Sequence, residues 1–229
     1  VVCLPGNPAL QFGSSHAKAP LISAVVTALR EARIPVVSFD YAGVGLSAPG
    51  GPTVDPKKWQ IPDDAESMRN TLELVGLAKV YLSDRVVVCG YSYGSSKALT
   101  AVLQGGEHAY VSLSMGYNVF KFMPDPFQQE MLKRDMELQS ALSCRALYIV
   151  GDKDRMTPLD EVKRLIGARA DGGEGATIEI IRNGTHDLKG LESVAGDLCA
   201  GFAAELHAEL VSAGEPAPEA PEAPEAEVS

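Results

Sequence analysis

The sequence predicts an α/β protein built on a doubly wound, mostly parallel sheet. Three observations support this fold class. Short apolar runs rich in β-branched residues recur along the chain, and segments with helical periodicity separate them. The 229 residues, of which 45% are hydrophobic, are enough for one sizeable core. Because strands that alternate with helices pair through right-handed crossovers, helices are expected on both faces of the sheet.

The predicted strands are continuous apolar runs rather than alternating ones. Such runs are typical of strands that are buried on both faces of a parallel sheet. In chain order they are residues 1–4, 35–39, 85–89, 110–114, 146–150 and 177–181.

The predicted helices have apolar residues at helical spacing. In the first of them Leu21, Val25 and Leu29 share one face. The second begins beside Pro62 and Asp63, which are residue types that favour a helix start. In chain order the predicted helices are residues 18–31, 63–82, 94–104, 159–168 and 191–212.

Three segments interrupt the alternation of strands and helices. Residues 41–61 are rich in glycine and proline and are expected to form a long surface loop. Residues 116–143 are too long for a simple connection and are expected to form a small cap with one or two short helices. Residues 214–229 repeat a Pro-Glu-Ala unit that cannot offset its ordering entropy, so a disordered tail is expected. The predicted domain is therefore residues 1–213.

Composition argues against several classes of function. The formal net charge is −10 and no basic stripe is present, so no nucleic-acid partner is expected. No apolar run approaches the ~20 residues of a membrane span, and no signal peptide can be identified in the sequence that begins at Val1. The four cysteines form no C-x-x-C pair and are expected to be buried reduced thiols, as in cytoplasmic proteins. No Cys/His cluster predicts a metal site, and no cofactor is expected.

The segment Gly90–Gly94, GYSYG, has the G-x-S-x-G pattern and follows a predicted strand. A strand that turns into a helix within one residue holds Ser92 in a strained conformation, and the glycines avoid a collision across the bend. The hydroxyl then lies at the carboxyl edge of the sheet, at a helix start that favours negative charge. The alternative is a tight connection without chemistry. The β-rich run before the motif and the small-residue helix after it favour a nucleophile.

A serine nucleophile needs a general base and a carboxylate that orients the base. Among the four histidines, only His186 follows a late predicted strand in a glycine-containing loop. Asp152 and Asp154 both follow the predicted strand 146–150 and are both candidates for the acid. The chain order is therefore serine, acid, histidine.

Four motifs together resemble those of the α/β-hydrolase superfamily, in particular its compact, nearly lid-less branch of esterase-like and dienelactone-hydrolase-like proteins. They are FDYAGVGLS at 39–47, GYSYG at 90–94, GDKDRMTP at 151–158 and NGTHDL at 183–188. The resemblance runs from about residue 1 to 212 and implies an α/β-hydrolase fold. It also implies a serine hydrolase that cleaves an ester, thioester or related acyl bond of a small-molecule substrate. Its expected catalytic triad is Ser92, Asp154 and His186.

The resemblance further implies an oxyanion hole. One donor is expected to be the backbone N–H of Tyr93, directly after the nucleophile. The other is expected in the loop after the first strand, where Asn7 is preferred over Gly6 because Pro8 has no N–H. The superfamily usually has a His-Gly pair where this chain has Pro5-Gly6, so this match is imperfect. Members also usually have a strand hairpin upstream, so either the fold lacks those strands or residues precede this sequence.

Other interpretations stay open. A non-catalytic binding or scaffold protein on the same fold is one alternative, and a serine peptidase or acyltransferase is another. The segment 43–48, GVGLSA, satisfies a dinucleotide-binding pattern, but the proline-rich stretch after it cannot begin the required helix. Aromatic residues of the cap either line an acyl pocket or pack on the sheet edge. Lys97 is expected to be a surface cation. The sequence does not indicate an oligomeric state.

Overall fold

The computed structural model of the chain describes residues 1–6, 20–41, 64–105, 109–115, 130, 134 and 137–212. Its strands are β1 (Val2–Leu4), β2 (Val37–Ser38), β3 (Val87–Tyr91), β4 (Ala109–Leu113), β5 (Ala146–Gly151) and β6 (Ala176–Ile181). Its helices are α1 (Pro20–Glu31), α2 (Asp64–Tyr81), α3 (Tyr93–Gly105), α4 (Leu159–Gly167) and α5 (Glu192–Ser212).

The strands of the described ranges form one sheet in the order β2-β1-β3-β4-β5-β6, and every neighbouring pair is parallel. The order reverses between β1 and β3, as in a doubly wound sheet. The predicted α/β class and parallel sheet are therefore confirmed. Because all strands run the same way, the loops that follow β1, β3, β5 and β6 meet at one edge.

The sheet is buried on both faces. Side chains of a strand alternate between the two faces. In β3, Val88 belongs to the core cluster that contacts α2, α3 and α4, whereas Cys89 belongs to the cluster that contacts α1 and α5. Each fully buried aliphatic side chain contributes about 1.5–3 kcal/mol. This two-sided burial explains why the strands are continuous apolar runs.

Three of the four cysteines are buried in this core, as predicted. Cys3, Cys89 and Cys199 are buried free thiols, and Cys144 is partly buried. Burial raises the pKa of Cys144 to about 11. These side chains therefore act as small apolar groups in the packing.

Several predicted segments lie mainly outside the described residues. In the expected cap, residues 137–140 are helical, and most of the segment before them is not described. Of the turn motif at 39–47, the structure describes Phe39, Asp40 and Tyr41. Of the expected surface loop at 41–61 the structure describes only Tyr41, which is buried rather than exposed, and the expected tail lies outside the described residues. Among the described residues, no helix has the length and apolar character to cross a membrane, and no His/Cys/Asp/Glu cluster could hold a metal ion.

Candidate active site

Ser92 is the single residue between β3 and α3. It has a positive φ of 51°, which is a left-handed conformation that costs a non-glycine residue about 1–3 kcal/mol. Its backbone N–H donates to the carbonyl of Leu113 in β4 at 2.9 Å. The serine is buried and is held in this conformation by the strand beside it.

The two glycines of the motif permit a close approach of three backbone segments. A Cβ on Gly90 would lie 2.2 Å from the carbonyl oxygen of Gly94. A Cβ on Gly94 would lie 2.5 Å from the carbonyl oxygen of Pro5 and 2.6 Å from that of Leu4. The bend therefore needs glycine at both positions, as the sequence predicts.

The structure brings Ser92, His186 and Asp154 together from three loops at the carboxyl edge of the sheet. The Nε2 atom of His186 lies 2.9 Å from the Oγ of Ser92. Its Nδ1 atom lies 3.0 Å from the Oδ2 of Asp154. A neutral imidazole that donates from Nδ1 to the carboxylate has Nε2 free to accept the serine proton.

Asp154 is buried and its other oxygen is also bonded. Oδ1 accepts the backbone N–H groups of Met156 at 2.8 Å and Thr157 at 3.0 Å. Burial alone would raise the pKa of Asp154, but the hydrogen bond and charge of His186, the backbone N–H of Met156 and the side chain of Thr157 lower that pKa below its ordinary value. The carboxylate is therefore held ionised and oriented toward the imidazole.

The acid loop and the histidine loop are bonded to each other through backbone groups. Lys153 donates its N–H to the carbonyl of Gly184 at 2.9 Å, and Asp152 donates to that of Ile181 at 3.1 Å. A Cβ on Gly151 would lie 2.2 Å from the carbonyl oxygen of Gly184. The side chain of Asp152 is exposed, so of the two candidate acids Asp154 is the one that contacts the histidine.

No protein family model matches the chain, and no curated protein matches its sequence. Solved structures do match it. Est1E from Butyrivibrio proteoclasticus, solved with ferulic acid bound, is similar with a TM-score of 0.67 and 16% identity over 90% of this chain and 88% of its own. An α/β serine hydrolase homologue from Coxiella burnetii has a TM-score of 0.63 and 14% identity over 88% and 84%. An α/β serine hydrolase without a lid from Xanthomonas campestris has a TM-score of 0.59 and 19% identity over 89% and 81%.

The chain has the α/β-hydrolase fold. The superfamily resemblance inferred from the four motifs is thereby confirmed at the level of the fold. In this fold the ends of β3, β5 and β6 supply Ser92, Asp154 and His186.

Tyr91, the first tyrosine of the GYSYG motif, packs beside His186. The Tyr91 ring is tilted by 39° against the His186 ring, with the centroids 5.6 Å apart. Burial raises the pKa of the Tyr91 hydroxyl, and the nearby Asp187 and Asp154 charges raise it further. Tyr91 therefore stays neutral and supports one side of the imidazole.

Lys97 is not a surface cation, and that prediction is wrong. It is 2% exposed, and its Nζ atom lies 4.9 Å from the centroid of the Tyr93 ring. The two residues are four apart on α3 and therefore share one face. The signal for its burial is the surrounding run SSKALTA, whose small and apolar residues indicate a helix that is covered nearly all round.

The two expected oxyanion donors differ in how far the structure describes them. Tyr93 is the first residue of α3 and directly follows Ser92. Asn7 lies outside the described residues. The loop after β1 is described through Pro5 and Gly6, which are both buried.

Proposed function

We propose that this protein is a serine hydrolase that cleaves an ester, thioester or related acyl bond of a small molecule. The observation that supports the proposal is the continuous contact from the Ser92 hydroxyl through His186 to Asp154, at 2.9 and 3.0 Å. The α/β-hydrolase fold is a second, weaker support, because one fold hosts many functions.

In the proposed first half-reaction, Ser92 Oγ attacks the acyl carbonyl carbon while His186 Nε2 takes the hydroxyl proton. Asp154 holds the imidazole in the required tautomer and stabilises the imidazolium. The tetrahedral oxyanion is held by the Tyr93 N–H and by a donor of the loop after β1, Asn7 or Gly6. The imidazolium then protonates the leaving group as the carbon–leaving group bond breaks, which leaves an acyl serine.

In the second half-reaction, water replaces the leaving group. His186 Nε2 takes a proton from the water as its oxygen attacks the acyl carbon, and the same oxyanion donors hold the second tetrahedral intermediate. The proton returns to Ser92 Oγ as the acyl bond breaks, and the carboxylic acid leaves. The start of α3 beside Ser92 favours the negative charge in both intermediates.

A fluorophosphonate probe tests the nucleophile, because such probes phosphonylate an activated serine. We expect the wild type to be labelled and Ser92→Ala to be unlabelled. Ser114→Ala is a matched control. Ser114 also follows a strand with a positive φ of 45°, but its hydroxyl has no partner among the described residues. Labelling that survives in Ser92→Ala, or is lost only in Ser114→Ala, would contradict the proposal.

A panel of p-nitrophenyl esters of increasing acyl length, with thioesters beside them, defines the substrate class. Because Est1E was solved with ferulic acid, methyl ferulate belongs in the panel. Turnover that is absent from every ester and thioester, in a protein that also resists the probe, would favour a non-catalytic binding protein on this fold.

A further inference from the structure

Tyr41 connects the two backbone segments that would form the oxyanion hole. It follows β2 and is 1% exposed. Its hydroxyl donates to the carbonyl of Pro5, the first residue after β1, at 3.1 Å. Its ring packs edge-to-face on the ring of Tyr93, with the centroids 5.6 Å apart and an interplanar angle of 75°.

Pro5 and Tyr93 are themselves held in place. Lys97 lies over the Tyr93 ring, so this ring contacts a tyrosine and a buried lysine. Gly94 packs so tightly on Pro5 that a Cβ there would lie 2.5 Å from the Pro5 carbonyl oxygen. The Pro5 carbonyl therefore has contacts with both the tyrosine hydroxyl and the start of α3.

The hydrogen bond to Pro5 affects the direction of the next N–H group. A peptide bond is planar and its C=O and N–H point in opposite directions in the trans form. Holding the Pro5 carbonyl therefore fixes the plane that contains the N–H of Gly6, which is one of the two candidate donors of this loop. Oxyanion donors act only when they lie about 2.7–3.1 Å from the oxyanion.

We propose that Tyr41 is a positioning residue for the oxyanion hole. Its hydroxyl orients the Pro5–Gly6 peptide, and its ring sets the distance from that peptide to Tyr93. This inference rests on the proposed hydrolase function. Tyr41 does not contact the reacting atoms in this account, because it acts through the backbone groups that do.

The test compares Tyr41→Phe with a control that removes an equivalent hydroxyl elsewhere. Tyr148 is also 1% exposed, donates to Gln139 Oε1 at 2.7 Å and packs edge-to-face on the Tyr110 ring at 5.7 Å. Tyr148→Phe therefore reproduces the loss of a buried hydroxyl without touching the site. Both variants are assayed well below their measured Tm, so that each is folded.

We expect Tyr41→Phe to lower kcat on p-nitrophenyl acetate about tenfold, with KM within about twofold of the wild type. Loss of a whole oxyanion donor costs about 10²–10³ in kcat, and a loosened donor costs less. The affinity for a trifluoromethyl ketone, which forms a tetrahedral oxyanion adduct, should fall by the same factor. Tyr148→Phe should leave both quantities within about twofold of the wild type.

The outcomes separate this inference from the proposed function. A Tyr41→Phe enzyme with wild-type kcat and analogue affinity would overturn the positioning role while the hydrolase remains. Equal losses in Tyr41→Phe and Tyr148→Phe, or a change in KM alone, would overturn it in the same way. A wild type that neither turns over esters nor reacts with a fluorophosphonate would overturn the hydrolase and this inference together.

Discussion

The substitution Gly90→Ala tests the geometry of the bend with one added methyl group. The new Cβ would lie 2.2 Å from the carbonyl oxygen of Gly94 and 2.5 Å from the backbone nitrogen of Ser95. Non-bonded heavy atoms prefer roughly 3.5 Å or more, so β3 and α3 would have to separate by roughly 1 Å. Overpacking of this kind costs about 1–3 kcal/mol in the free energy of unfolding.

The same separation acts on Ser92, which lies between the two elements. A contact of 2.9 Å between Ser92 Oγ and His186 Nε2 would lengthen beyond hydrogen-bonding distance. A misplacement of about 1 Å costs about 10²-fold in catalysis. We therefore expect kcat on p-nitrophenyl acetate to fall about a hundredfold. The free energy of unfolding of the same variant is measured by urea denaturation.

Gly76→Ala is the matched control for Gly90→Ala. Gly76 lies inside α2, and a Cβ there would meet no atom within 4 Å. Alanine is favoured over glycine in a helix by about 0.5–1 kcal/mol, so this variant should be slightly more stable and fully active. A Gly90→Ala protein with wild-type kcat and unfolding energy would refute the steric argument.

Three further predictions concern the acid and the base. Asp154→Asn should lower kcat by about 10³–10⁴, because the amide orients the imidazole in the wrong tautomer, whereas Asp152→Asn should stay within about twofold; the reverse order would reassign the acid. His186→Ala should lower turnover by several orders of magnitude with an unchanged Tm, and a small loss would exclude it as the base. The pKa of Asp154 is lowered from its ordinary 3.8, so its stabilising effect is complete above that value and is lost as pH falls through the folded pKa. The difference in urea unfolding energy between wild type and Asp154→Asn should be the same at about pH 6 and about pH 5 and should narrow as pH falls below about 4, and an unchanged difference at about pH 3 would contradict the assigned direction.

The sheet could be predicted because its signal is local. A continuous apolar run such as the one around β5 indicates a strand that is buried on both faces, whatever its neighbours are. β2 is shorter than the predicted 35–39, since it pairs with β1 over only two residues at the edge of the sheet. The length of β2 therefore depends on its pairing with β1, and the apolar run in the sequence does not indicate how far that pairing extends.

Part of the candidate site could be predicted from local patterns in the sequence, and part of it could not. Ser92 and His186 are marked by glycine-containing loops after strands, and those patterns can be recognised in the chain. The bond from Tyr41 to Pro5 depends on packing between two segments that lie far apart in the sequence. No periodicity reports such contacts, so they could be found only in the folded chain.

The most direct measurement is a crystal structure of the protein after reaction with diethyl p-nitrophenyl phosphate. We expect a phosphorus atom bonded to Ser92 Oγ, with one phosphoryl oxygen within about 3 Å of the Tyr93 backbone nitrogen. A phosphorus atom on another residue, or a phosphoryl oxygen directed to solvent and away from α3, would contradict it.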